Sequence, residues 1–161
     1  MGQMLELPAW EMLPDIGLYM DQVITLMHRT FSGVLSDGEI TKSMVNNYVK
    51  AGLVARPVAK KYDREQLATL MMICVLKQAM SMEHIGELLR MVCGSSVQEG
   101  YTAFARQVSE LQRFLHESRR AAGQLGVKEQ AIAESVTAAI CTIGAGQLLQ
   151  EMHGGEDAAG R

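Results

Sequence analysis

The sequence is poor in rings, proline and cysteine: aromatic residues make up 5%, with one Trp, four Tyr and three Phe, beside three Pro and three Cys. A core with so few rings draws on Leu, Ile, Val, Ala and 12 Met. Straight-chain side chains lose little rotamer freedom in a helix, so helices are favoured. The cysteines (Cys74, Cys93, Cys141) are odd in number and form no CxxC pair. A disulfide framework is not expected, and a reducing cytoplasm fits better. There is no excess of positive charge, with 15 Lys+Arg against 18 Asp+Glu and a net charge of −3, which argues against indiscriminate coating of nucleic acid. No basic segment followed by an apolar one opens the chain, so no signal peptide is expected. The longest fully apolar run, Leu70 to Leu76, is too short to span a bilayer, and no membrane partner is expected.

Catalytic motifs are missing too: there is no GxSxG, HExxH or P-loop. Gly144-Ala-Gly146 lies in an Ala-rich helical stretch and is no dinucleotide fingerprint. His28, His84, His116 and His153 lack metal-ligand spacing. Cys93 can approach His84, but two ligands do not make a zinc site. The cysteines and methionines read as core residues. An enzyme, a metal and a cofactor are all unexpected.

What is there is globular: 161 residues, 48% hydrophobic and 20% charged, enough for one domain or a small domain with an extension. Residues 1–14 read as an extended arm, because Pro8 and Pro14 disfavour helix in the residue before each; Trp10 reads as an apolar lid on the first helix. Asp15 can cap a helix to about Phe31, with Ile16, Met20, Val23, Ile24, Met27 and Phe31 at helical spacing. Ser32-Gly33 and Ser36-Asp37-Gly38 break the chain. Thr41 opens a second helix with Met44, Val45, Tyr48 and Val49 inward, and Gly52 stops it. LVARPVAKKY reads as a short ribbon or loop. Asp63-x-x-Gln66 resembles a capping box for a third helix, apolar on all sides and therefore buried on all sides. Ser81 caps a fourth, with Met82, Ile85, Leu88 and Leu89 inward.

Ser96-x-x-Glu99 caps a fifth helix. Its Val97, Tyr101, Phe104, Val108, Leu111 and Leu115 are spaced 4, 3, 4, 3, 4, the seam of a coiled coil. That seam serves either a homodimer or packing on a sixth helix, about Lys128 to Gln150, set off by Gly123 and Gly126; this helix is Ala-rich, with Ile132, Val136, Ala139, Ile140 and Ile143 as its apolar stripe. The polar tail reads as disordered. The expected fold is all-α, with units at 1–92, 96–150 and a tail at 151–161.

Charge is unevenly spread. Residues 41–66 hold six basic side chains (Lys42, Lys50, Arg56, Lys60, Lys61, Arg64) against Asp63 and Glu65, a net of +4; the remaining nine basic and sixteen acidic residues make −7. One helix, one ribbon and one helix start could form a phosphate-facing surface. Ser43, Asn46 and Asn47 are short polar groups on the exposed side of the second helix, and Asn can pair with an adenine edge.

From Thr41 to Leu89 the chain resembles the MerR-type winged helix-turn-helix. TKSMVNNYVKAGLV is similar to that family's recognition-helix segment through Thr41, Tyr48, Gly52 and Leu53. The segment after the wing is matched at Tyr62, Leu67, Leu70, Ile73, Ser81, Ile85 and Leu88. Asn46 stands where that family usually has an Arg on phosphate, and the wing between Leu53 and Tyr62 is several residues short. Residues 5–90 resemble a bacterial family of unknown function, number 1836, in LPAWEMLPDIGLYMDQV, ITKSMVNNYVKAGLV and PVAKKYDREQLATL. The resemblances imply a bacterial, cytoplasmic protein: a winged helix-turn-helix-like N-terminal domain with a short wing, then a C-terminal helical pair.

The leading expectation is a DNA-binding transcriptional regulator acting as a homodimer on double-stranded DNA. Lys42, Ser43, Asn46, Asn47 and Lys50 lie on a recognition helix of about 41–51. Arg56, Lys60 and Lys61 hold the flanking backbone, and Arg64 adds a phosphate contact. The alternative is a non-catalytic interaction or ligand-sensing module on the same frame. A small-molecule effector is left open.

Overall fold

The computed structural model describes residues 4–34, 40–121 and 126–159. The expected breaks at Ser36-Asp37-Gly38 and at Gly123 lie outside them. The chain is mainly helical: α1 (Met20–Phe31), α2 (Lys42–Lys50), α3 (Arg64–Leu76), α4 (Met82–Cys93), α5 (Val97–Ala121) and α6 (Val127–Ala159), with two short strands, β1 (Leu18–Tyr19) and β2 (Lys61–Tyr62). The tail read as disordered continues α6 to Ala159; no proline interrupts it.

α3 is the centre of the core. Leu67, Ala68, Leu70, Met71, Met72, Ile73 and Cys74 are all buried, and full burial of one such large apolar side chain contributes about 1.5–3 kcal/mol. The expected capping box is formed: Gln66 N–H donates to Asp63 Oδ1 at 2.9 Å, and Asp63 N–H donates to Gln66 Oε1 at 2.7 Å. The amide of Gln66 also donates to Ala55 O at 2.9 Å, so the same residue that starts α3 ties down the loop before it.

The first helix begins later than Asp15. Leu18 pairs with Tyr62 and Tyr19 with Lys61, antiparallel. At the entry to β1, a Cβ on Gly17 would sit 2.9 Å from Lys61 Cβ, so the strands can approach only because glycine is there. Ile16, expected inward, is 68% exposed. Gln22 then accepts from Tyr19 N–H at 2.9 Å and opens α1, whose Val23, Met27 and Phe31 are buried. His28 Nε2 reaches Ile40 O at 3.0 Å, joining the end of α1 to the approach to α2.

The N-terminal arm is extended apart from one 3-10 turn at Trp10–Met12. Its polar anchors are on α5, and its Leu7, Pro8 and Met12 also line a cavity with Leu26, Arg29 and Thr30 of α1. Gln112 holds Leu5 by two bonds, accepting from its N–H at 2.8 Å and donating to its carbonyl at 2.7 Å. Tyr101 OH donates to Pro8 O at 2.7 Å and lies 3.5 Å from Met71 Sδ. Trp10 packs on Tyr101 with ring centroids 6.2 Å apart. The first half of the heptad is thus used within the chain. Tyr101 is fully buried, and Val97, Phe104 and Val108 pack against the same core. Their neighbours are α3 and α4 more than α6, because periodicity defines an apolar face without naming what covers it. Leu111 is exposed and Leu115 half-buried.

Before β2 the chain reverses in two residues. Val58 and Lys61 exchange backbone hydrogen bonds of 3.1 and 2.9 Å, and Ala59 and Lys60 both take positive φ, 49° and 63°. This is a type I′ turn, which favours Asn-Gly over Ala-Lys. A left-handed Ala costs roughly 1–2 kcal/mol, and a new glycine adds unfolded-chain entropy of about 0.4–1 kcal/mol. Ala59→Gly should therefore stabilise by about 0.5 kcal/mol, raising Tm by roughly 1–2 °C; a lower Tm in calorimetry would refute the turn.

Candidate nucleic-acid interface

Thr41 builds the start of α2: its hydroxyl accepts from Met44 N–H at 3.2 Å. Val45 and Tyr48 face the core, and Gly52, at φ 74°, closes the helix in the left-handed conformation. With 100° between successive residues, Lys42, Ser43, Asn46, Asn47 and Lys50 then share an arc of about 140° on the outer side. All five are exposed, so the arc carries two ammonium groups, two amides and a hydroxyl above an apolar back.

The 58–61 turn supplies the second basic element. Val58 is 79% exposed, and Arg56, Lys60 and Lys61 are exposed as well. Both elements are anchored at the same place. Lys42 forms an ion pair with Asp21 in the first turn of α1. Lys61 lies with Nζ 5.1 Å from the Tyr19 ring centroid, at the residue just before α1. Cations from α2 and from the turn therefore meet at the N-terminus of α1, where unpaired backbone N–H groups add positive potential. The Lys42–Asp21 pair is solvent-exposed on both sides; such pairs contribute at most about 1 kcal/mol and exchange readily for another anion.

Arg64 stands apart. It is half-buried, its guanidinium carbon is 5.8 Å from the Trp10 ring centroid, and its Nε is buried without a hydrogen-bond partner. Its observed partner is the arm. Tyr19, Asp21 and Val58 belong to the surface but carry no sequence signal of their own. A two-residue strand leaves no alternation to read, so the pairing of Tyr19 with Lys61 becomes visible only in the fold.

The tyrosines that seat these elements are held neutral. Burial raises the Tyr62 phenol, and burial followed by the nearby Cys74 raises Tyr48; burial also raises Tyr101. The Cys74 thiol is pushed up to about 12 by burial, slightly opposed by Lys77, and burial raises Cys93 as well. Neither is disposed to act as a nucleophile at neutral pH. A raised folded-state value means that the folded chain keeps protons that the unfolded chain has lost. Stability should therefore be level up to about pH 8.5 and fall steadily above it, first through the thiols and then, beyond about pH 10, through the phenols. Urea midpoints measured from pH 7 to 11.5 check this; a midpoint unchanged to pH 11.5 would contradict it.

Among the described residues, no group of three His, Cys, Asp or Glu could hold a metal ion. One helical stretch, Val127–Leu148, is long and apolar enough by length and composition to cross a membrane, a property missed by looking only for uninterrupted apolar runs. A family model described as "Domain of unknown function (DUF1836)" matches residues 8–108. No curated protein and no solved structure matches the chain.

Proposed function

The chain belongs to the DUF1836 family, whose model covers the arm from Pro8 onward, the basic surface and the first half of α5, and on that premise we propose that it is a bacterial, cytoplasmic DNA-binding transcriptional regulator. α2 serves as a MerR-like recognition helix in the major groove, and the 58–61 turn serves as a short wing on the phosphates. Asn46 and Asn47 meet base edges, while Lys42, Lys50, Arg56, Lys60 and Lys61 meet phosphate. The protein works by binding, without catalysis, and as a homodimer on a two-fold site.

The observation that carries this reading is the convergence of Lys42 and Lys61 on the N-terminal end of α1, at Asp21 and Tyr19, which brings two separate basic segments to one place. Net acidity elsewhere fits a single contact surface and opposes general adhesion to DNA. Binding-site selection from fragmented bacterial genomic DNA tests it. A recovered motif with two-fold symmetry is expected; recovery of no enriched sequence would overturn the proposal.

A second reading has support from particular contacts. Lys42 is already paired with Asp21 and Arg64 already stacked on Trp10, which suits an interaction or ligand-sensing module with weak DNA affinity. Specific enrichment in the selection experiment would reject it.

A further inference from the structure

α6 leaves an apolar stripe unused by its own chain. None of the Val127–Leu148 window is buried, and the helix meets the described body mainly at α4. Ile132, Val136, Ile140 and Ile143 are 65%, 50%, 63% and 61% exposed. At 100° per residue these four and Ala139 occupy an arc of about 100°. Between residues 132 and 145 the opposite side holds Glu134, Ala138, Cys141 and Ala145, which are small or polar; Val127 and Leu148 return to that side only at the ends of the window, and no charged residue lies between Ser135 and Gln150.

Two glycines point to what covers the stripe. Gly146 continues it one heptad beyond Ala139, and Gly144 flanks it one turn beyond Ile140. A Cβ at either position would meet nothing within 4 Å, so the chain's own packing does not require glycine there. Each nonetheless costs about 1 kcal/mol against Ala in a helix interior. Close approach of another helix accounts for both. A bilayer fits less well: Glu134 lies a third of the way into the span, where an unpaired charge is costly, and between residues 132 and 145 the large apolar side chains share one side.

We infer that the Ile132–Ile143 stripe of α6 is the seat for a second copy of this chain, paired antiparallel with the same helix about a two-fold axis near Ala139. Antiparallel pairing sets the charged start of each helix (Lys128, Glu129) against the uncharged end of the other near residues 149–150 and opposes the helix dipoles; parallel pairing would stack like charges. Four exposed branched side chains at roughly 60–120 Å² each place on the order of 400 Å² of apolar surface per copy in contact. With the flanking residues, this reaches the low end of specific interfaces, consistent with a dimer that forms in the micromolar range. The inference specifies the homodimer of the proposed function but does not need DNA.

Sedimentation velocity on the full chain from 1 to 200 μM tests it. The wild type should move from the 17.7 kDa monomer to twice that mass. Val136→Glu with Ile140→Glu should stay monomeric throughout, with unchanged helical circular dichroism, and Ala138→Glu on the opposite face should still dimerise. A wild type monomeric at 200 μM, a dimer that survives the double substitution, or monomeric binding to phosphatidylethanolamine–phosphatidylglycerol vesicles that the double substitution abolishes would each overturn the inference. Loss of DNA binding with the dimer intact would count against the regulator alone.

Discussion

Replacing Tyr101 with alanine should destabilise the chain by about 3–5 kcal/mol, the range for removing a fully buried aromatic side chain. The size of the effect follows from what meets at this residue. Its ring is completely buried, stacks at a tilt on Trp10 and lies against Met71 of the central helix. Its hydroxyl supplies the bond to Pro8 that fastens the arm to α5. Tyr101→Phe keeps the ring and should cost about 1–2 kcal/mol, the penalty for leaving one carbonyl without its donor. Urea unfolding separates the two variants. If alanine cost less than about 1.5 kcal/mol, the arm and α5 would not form part of one cooperative core.

The second large effect concerns binding. Lys60→Glu with Lys61→Glu should weaken affinity for a selected duplex by roughly 60-fold per half-site at 0.1 M salt, and by more for the dimer, since each lost phosphate contact removes about 0.9 from the slope of log K against log salt. Reversal adds repulsion beyond mere loss. Folding should hardly change. Both residues are exposed, and an exposed cation–π contact such as Lys61 with Tyr19 contributes only about 0.5–1 kcal/mol. Fluorescence anisotropy, with Tm measured alongside, gives the answer; affinity within threefold of wild type would remove the 58–61 turn from the interface.

How much of this was legible beforehand depended on whether the signal was local. Thr41 and Asp63 cap their helices as their side chains imply, Gly52 ends α2 as a left-handed stop, and the all-round apolar run of α3 lies at the centre of the core. In each case the deciding chemistry lies within one or two turns. Asp15 was the opposite case: a good capping residue was overridden by strand pairing that depends on Lys61 and Tyr62, far along the chain, and on the missing Cβ of Gly17. The heptad of α5 packs within the chain only over its first half, against the arm, α3 and α4, while Leu111 is exposed. No spacing rule could have identified Gln112 and Tyr101 as the clamps that hold the arm there. At the candidate site, the exposed polar side of α2 was visible from periodicity, whereas the convergence of Lys42 and Lys61 on α1 exists only in the fold. The apolar stripe of α6 at Ile132, Val136, Ala139, Ile140 and Ile143 is legible from its spacing, whereas its exposure is visible only in the fold. That exposure makes it informative.

The central claim is that one oriented basic face binds DNA phosphate. The most direct measurement is the wild-type affinity for a selected duplex between 50 and 400 mM NaCl. Lys50, Arg56, Lys60 and Lys61, with Lys42 released from Asp21, make five contacts in each protomer, so the dimer should yield a straight line of slope roughly −9 in log K against log salt. Absence of saturable binding at 50 mM, or affinity indifferent to salt, would contradict it.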